Sequence, residues 1–422
     1  MGNLRRFWSL TPGLSLGAAT AALALAIVFV LTVVTTGAAH AQTFQVIYTF
    51  TGGPDGAQPY AGLTIDRGGN LYGTTFAGNE GSNWGNVYQL RHKGAWVFSQ
   101  LQLFDGTLSA RVIFGPDGIL YGPSPNNIAG YTYGYIFNLK PPVSAVCMAI
   151  RCPWVATVIY GFSGGADGAS PRYGDLLFDQ AGNMYGTTSV GGSGNGVVYE
   201  MTRSGGVWSE QPLYAFSGSP DGANPFGGLV FDNAGNLYGM TTQGGSTGNG
   251  AVFELSPSGG GWTEKVIYNF QGAGDGDYPT AGLIFDQSGN LYGTTSDGGT
   301  GGGGTVFELS PSGGSWTYSL LYSFTGGTRC GPWGSLAMDG AGNLYGTTVC
   351  DGANSDGNVF ELTPSGGSWT YNSLHDFAGG SSDGRRAYGN VTIDSADNLY
   401  GTASRGGTHD NGVIWEYTPA KK

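Results

Sequence analysis

The sequence predicts an all-β fold, a seven-bladed β-propeller with four antiparallel strands in each blade. Three observations lead there. The composition is rich in glycine and aromatics and poor in charge, one motif recurs along the chain, and the strand missing from the last copy stands near the start.

Composition sets the class. Glycine occupies 80 of 422 positions, aromatic residues 13% and charged residues 11%, whereas ordinary domains carry about 7% glycine and about 25% charge. The glycines keep no three-residue period, which excludes a collagen-like helix. The aromatic content excludes a disordered chain, because it supplies enough apolar surface to offset the entropy lost on ordering. Short strands joined by glycine turns satisfy both constraints.

The repeat gives the blade count. Its clearest core, Asp-x-x-Gly-Asn-Leu-Tyr-Gly-Thr-Thr, stands at Asp66–Thr75, Asp286–Thr295 and Asp339–Thr348. Variants occupy Asp179–Thr188, Asp232–Thr241 and Asp394–Ala403, and a degenerate copy lies at Gly115–Ser124. The core tyrosines are Tyr72, Tyr121, Tyr185, Tyr238, Tyr292, Tyr345 and Tyr400, spaced by 49, 64, 53, 54, 53 and 55 residues. Each copy holds four β-like stretches, as in Ala281–Phe285, Leu291–Thr295, Thr305–Leu309 and Trp316–Phe324. Clusters of glycine, proline, serine and asparagine bound them, and no helical period intervenes. Four strands per repeat is the pattern of a propeller blade.

The ends of the chain predict how the ring closes. A Trp-x7-Phe strand recurs at Trp96–Phe104, Trp154–Phe162, Trp208–Phe216, Trp262–Phe270, Trp316–Phe324 and Trp369–Phe377. The last copy stops at Thr418-Pro419, before this strand, and Phe44–Phe50 supplies it at the other end. The N-terminal strand is therefore expected to complete the last blade, which removes open sheet edges. The predicted propeller spans residues 42–419. Its blades are 60–104, 109–162, 173–216, 226–270, 280–324, 333–377, and 388–419 with 42–50; residues 420–422 form a tail.

Residues 1–41 read as an export signal. Arg5 and Arg6 form a positive start, Leu14 to Val34 is apolar, and Ala39-His40-Ala41 gives an A-x-A cleavage site before Gln42. The alternative is an uncleaved anchor, since the apolar stretch is long enough to cross a bilayer. No cysteine follows the site, so no lipid anchor is expected there. The expected location is secreted or periplasmic, with no membrane contact after cleavage. The signal holds two arginines and no acids, which leaves the remainder at −14 against −12 for the whole chain. A surface this acidic repels phosphate backbones and excludes a nucleic-acid partner.

The Gly-Asn-Leu-Tyr-Gly-Thr-Thr core, the Gly-Gly-x-x-Gly-x-Gly loop and the Val-Phe-Glu-Leu strand resemble the choice-of-anchor tandem repeat GloVer family of exported bacterial proteins. Gly289–Leu309 and Gly342–Leu362 carry the resemblance most cleanly, and it covers nearly all of the chain after the signal. The resemblance implies a propeller-like repeat and no established reaction. Members carry varied C-terminal anchors, whereas Tyr417 to Lys422 offers no hydrophobic tail. More distantly, Asp-x-x-Gly-Asn-Leu-Tyr is similar to the strand-turn-strand of NHL and SMP-30-like propellers, some of which bind partners and some of which are metal enzymes.

The repeated aspartates (Asp66, Asp179, Asp232, Asp286, Asp339 and Asp394) recur once per blade beside a Gly-Asn turn. A carboxylate there accepts turn amides and fixes the hairpin. Catalysis needs one convergent site with unequal environments, not a ring of equivalent acids. A second series, Asp55, Asp105, Asp167, Asp221, Asp275 and Asp383, lies in Asp-Gly turns and lacks the alternating oxygen ligands of a calcium loop. No metal and no cofactor are expected.

Four cysteines fit an exported chain and two disulfides. Cys147 and Cys152 share the insertion that lengthens the second repeat. Cys330 enters the sixth blade, and Cys350 lies between that blade's second and third strands, two loops that emerge on one face. Pairing Cys147–Cys152 and Cys330–Cys350 is the expectation, though four cysteines permit three connectivities. Histidines are scattered as His92, His375 and His409, of which only His409 falls on the loop-rich face. They support neither a triad nor a zinc site.

One position departs from strict repetition. Six residues before the motif aspartate stand Tyr60, Ser109, Tyr173, Phe226, Thr280, Trp333 and Tyr388. If this position borders the axis, its aromatics form a stacking platform. Nearby deviations from glycine, Arg111, Arg172, Asp175, Ser335 and Asn390, add polar groups. Aromatic faces beside hydrogen-bonding groups suit sugars or flat cyclic ligands. The competing account is packing between blades.

These readings lead to a non-catalytic binding or interaction propeller, expected as a monomer, that uses its loop-rich face on a carbohydrate, a small molecule or a protein. Two alternatives remain open from sequence: a lyase- or hydrolase-type enzyme with a site in the central funnel, and a structural spacer of an envelope or matrix.

Overall fold

The computed structural model describes residues 42–78, 84–125, 130–142 and 154–420. Among them, seven antiparallel sheets follow one another along the chain, each built around four strands. The first blade is typical, with strands Thr64–Ile65, Leu71–Thr75, Asn86–His92 and Trp96–Leu103 in that order from the axis outward. The seventh blade combines Thr392–Ile393, Leu399–Ala403 and Val413–Thr418 with Thr43–Thr49 as its outer strand. Phe50 N–H donates to the Gly412 carbonyl (3.0 Å), and Gln45 Nε2 donates to Glu416 (2.6 Å) across the same seam.

The core lies between blades. Successive side chains of a strand face opposite sides of its sheet, so each blade feeds the interface before it and the one after. In the fifth blade Phe307 packs against Phe270 and Leu291, while its neighbour Val306 joins Phe324, Leu336 and Phe360 of the next interface. Seven such apolar clusters fill the seven interfaces among the described residues. This explains why Val-Phe and Leu-Tyr pairs, apolar on both faces, recur in the middle strands.

Each element of the repeated motif has a visible task. Asp66 Oδ1 accepts the N–H groups of Gly68 (2.8 Å) and Asn70 (2.9 Å), and its Oδ2 accepts Asn70 Nδ2 (2.8 Å) and Tyr72 Oη (3.1 Å). The same network recurs at Asp232, Asp286, Asp339 and Asp394. Partial burial opposes ionisation of Asp66, yet the bonds from Asn70, Gly68 and Tyr72 hold its carboxyl below the usual range. The first threonine of the motif ties its blade to the next. Thr74 donates to the Ala110 carbonyl (2.9 Å), Thr347 to Gly389 (3.0 Å), and Thr402 closes the ring onto Ala61 (2.9 Å).

On the outer strands a second contact repeats. Tyr48 stacks on Phe98, Tyr268 on Tyr318, Tyr322 on Tyr371, and His375 on Phe44, with ring centroids 3.5 to 4.7 Å apart. Two interfaces replace the stacking partner with a carboxyl: Glu210 faces Tyr160, and Glu264 faces Tyr214.

Cys330 and Cys350 are bonded, with Cα atoms 4.5 Å apart. Their loops meet on one face, as strand alternation requires. Cys147 and Cys152 lie outside the described residues, as do residues 1–41.

Candidate functional site

The chain enters each inner strand from the outer strand of the preceding blade. Just before the entry, Gln58, Ser170, Asn224, Tyr278 and Arg386 adopt left-handed backbone, with φ from 54° to 58°. Each N–H donates to a loop carbonyl of the previous blade, those of Asn411, Tyr133, Asn195, Asn249 and Asp356 in turn. An external partner thus fixes a conformation that L-residues otherwise avoid. The chain then aims its next side chains at the axis.

All seven ring residues, from Tyr60 to Tyr388, line one axial cavity of about 270 Å³. One residue further on, every blade has alanine or glycine, because the backbones nearly touch around the axis. A Cβ on Gly227 would stand 1.9 Å from the carbonyl oxygen of Ala281. A second tier, two residues after the ring, carries the polar groups.

That second tier forms a braced floor. Arg111 Nη2 lies 2.6 Å from Asp175 Oδ2, and the same oxygen accepts Asn390 Nδ2 at 3.1 Å. Asn390 Oδ1 accepts the Ser335 N–H (2.7 Å), and Ser335 Oγ accepts the Gly282 N–H (2.8 Å). Four blades beyond the arginine's own are thereby joined across the axis. Two polar atoms of this region have no protein partner among the described residues: Arg111 Nε and the hydroxyl of Ser109, a residue only 3% exposed. Leaving a buried donor unpaired costs free energy.

Above the floor the aromatics form two arcs. Tyr173 stacks on Phe226 (5.1 Å between centroids) on one side. On the other, Phe76, Tyr60, Tyr388 and Trp333 follow one another at 5.0 to 5.6 Å. None of the five ring aromatics is buried, and Tyr173 is 36% exposed. Desolvation, and for Tyr173 the nearby Tyr60 and Tyr388 hydroxyls, push the Tyr173 and Tyr388 phenols up. They therefore stay protonated at neutral pH.

Of the residues predicted from sequence, Tyr60, Arg111, Tyr173, Asp175, Phe226, Trp333 and Tyr388 line the cavity. Arg172 does not. It is an extra residue after Pro171, the counterpart of Pro59, Pro225 and Pro279, and is exposed. Sequence reasoning missed Phe76, which continues the Tyr60 arc, and Tyr278, whose ring lies 6.2 Å from Trp333. Tyr278 shares its left-handed position with Gln58 and Asn224, a signal visible only once the turns are known. His409 is an exposed loop residue, and no group of three or more potential metal ligands forms among the described residues.

A family model for the Gloeobacter/Verrucomicrobia repeat matches residues 131–337 and 261–422. The chain belongs to this family. The two matches overlap within the tandem array, as expected where one repeat unit fits in more than one register. No curated protein matches the sequence. Among solved structures, the chain is similar to the WD40 β-propeller domain of Doa1, at 12% identity over 88% of this chain and 96% of that one, with a TM-score of 0.51. It is also similar to a putative oxidoreductase (glucose dehydrogenase) from Thermus thermophilus, at 16% identity over 74% and 96%, with a TM-score of 0.45. Likeness at this identity concerns the fold alone.

Proposed function

We propose that this protein is an exported binding propeller whose axial mouth holds a sugar ring or a similar small cyclic compound. The observation that carries the reading is the convergence of all seven ring positions on one cavity, five of them aromatic. Its volume lies at the lower edge of the range for ligand sites, about 300–1,000 Å³, which suits a single ring. Trp333, Tyr388 and the Tyr173–Phe226 pair offer apolar faces to the C–H side of a sugar. The phenols supply donors for its oxygens. Arg111 and Asn390 engage Asp175, so the deepest carboxylate is a positioning group, and ligand binding follows without a bond being made or broken. Export agrees with the Cys330–Cys350 disulfide and with the N-terminal segment read above as a signal.

The test is a glycan array and polysaccharide pull-down with the chain from Gln42, beside a Trp333→Ala, Tyr388→Ala variant. Removal of two stacking faces is expected to weaken binding by about tenfold or more with the circular dichroism spectrum unchanged. Binding that survives both substitutions, or no binding at all, overturns the reading.

A further inference from the structure

The axial cavity is closed underneath. Asn390 of the seventh blade and Asp175 of the third stand on opposite sides of the ring, yet Nδ2 of one lies 3.1 Å from Oδ2 of the other, so their contact crosses the axis. Arg111 Nη2 meets the same Asp175 oxygen at 2.6 Å, and the Ser335 N–H holds Asn390 Oδ1 at 2.7 Å. Where this tier carries glycine, neighbouring backbones close up instead. A Cβ on Gly62 would stand 2.7 Å from the Asn390 carbonyl oxygen, and one on Gly228 would stand 3.2 Å from the Asp175 nitrogen. A glycan chain cannot thread through such a layer.

The wall is closed as well. Ser109 and Thr280, the small ring residues of the second and fifth blades, interrupt the two aromatic arcs. Breaks open to solvent would leave these residues exposed, but they are only 3% and 4% exposed. Thr280 Oγ1 also donates across its break to the Trp333 carbonyl (3.2 Å). The aromatics Tyr173, Phe226, Trp333 and Tyr388, none of them buried, mark the open side. Charge inside is balanced: Arg111 and Asp175 are the charged residues among those lining the cavity, and they pair with each other. An ion entering would give up its water beside a pair already satisfied, which costs free energy.

We infer that the mouth recognises the end of a neutral glycan: one terminal ring enters between the arcs, and the rest of the chain leaves by the way it came. This rests on the binding reading above and narrows it. An interior ring has a neighbour on each side, so it needs a cleft open at both ends or a through channel. A terminal ring needs one exit, and the cavity of about 270 Å³ offers one exit and room for one ring. Rings that stay outside miss the stacking faces and add little affinity.

Isothermal titration of the chain from Gln42 tests this. The probes are glucose, galactose, mannose, xylose and N-acetylglucosamine, each beside its linear tetramer, with glucuronic acid as the charged counterpart of glucose. At least one sugar is expected to bind with a Kd within about fivefold of its tetramer's. Both are expected to weaken by about tenfold or more in the Trp333→Ala, Tyr388→Ala variant. Glucuronic acid is expected to bind no more tightly than glucose. A tetramer that binds more than about fivefold tighter than its monosaccharide is held through several rings, which overturns the inference and leaves the binding reading standing. A monosaccharide that binds while its tetramer does not also overturns it, because the mouth then takes a free sugar and not a chain end. Tighter binding of glucuronic acid than of glucose overturns the neutral ligand. Failure of every probe, or binding that survives both substitutions, overturns both readings.

Discussion

Asn390 and Asp175 meet across the propeller axis: Nδ2 of one lies 3.1 Å from Oδ2 of the other, although 215 residues separate them. With the Arg111 guanidinium on the same oxygen, they tie blades two, three and seven together beneath the cavity. Asp175→Asn preserves shape and removes the charge that Arg111 requires. The expected loss is about 1.5–3 kcal/mol, the usual worth of a hydrogen bond to a charged group. A fall in the urea midpoint with an unchanged slope would register it; an unchanged midpoint would show that the brace contributes nothing.

Backbone crowding around the axis makes a sharper steric prediction. Gly227→Ala places a methyl group 1.9 Å from the Ala281 carbonyl oxygen, which only a shift of the two strand entries relieves. Overpacking of this kind costs about 1–3 kcal/mol. Gly340→Ala is the control, because nothing lies within 4 Å of its added carbon. Thermal melts of the pair should separate, with the control matching the parent.

The disulfide closes a loop of 20 residues between the entry to the sixth blade and the loop after that blade's strand Leu344–Thr347. Cys350→Ser, or reduction, is expected to lower stability by about 3 kcal/mol through the freedom returned to the unfolded chain. Equal melting temperatures with and without reductant would contradict this.

Two glutamates at the outer seams carry a pH dependence of known sign. Desolvation, reinforced by Asp167, raises the Glu210 carboxyl to about 7, and desolvation with Asp221 does the same for Glu264. Both acids ionise near 4.5 when unperturbed. A folded value above the unfolded one means that these sites stabilise least when ionised: stability is full below about pH 4.5 and declines as pH rises toward about 7. Glu210→Gln and Glu264→Gln should therefore raise stability at pH 8. Solvent reaches part of each carboxyl and screens it, so the gain is about 1 kcal/mol per site. At pH 4.5 the variants and the parent should coincide. A gain of the same size at both pH values would point to packing instead of charge.

The sequence by itself determined the architecture, because propeller blades are written in local chemistry. The Asp-x-x-Gly-Asn-Leu-Tyr hairpin fixes its own turn with hydrogen bonds inside ten residues, and it does so copy after copy. Clusters of glycine, proline, serine and asparagine already bounded four strands in each copy. Even the closing strand, Thr43–Thr49, was legible as a piece missing from one end and present at the other. The ring position could be read too, since seven equivalent residues must share one distance from the axis.

Tertiary structure alone decided what those residues do together. Arg172 and Arg111 both looked like lining groups, yet Arg172, an extra residue after Pro171, is exposed and lines no part of the cavity, while Arg111 reaches Asp175. Tyr278 and Arg386 adopt left-handed turns held by the preceding blade, a constraint with no local signature. The Asp175–Asn390 contact links positions far apart in the chain, and nothing in either repeat announces it. A hairpin is specified by its neighbours in sequence, whereas the mouth is specified by neighbours around a ring, and only closure of that ring brings them within hydrogen-bonding distance.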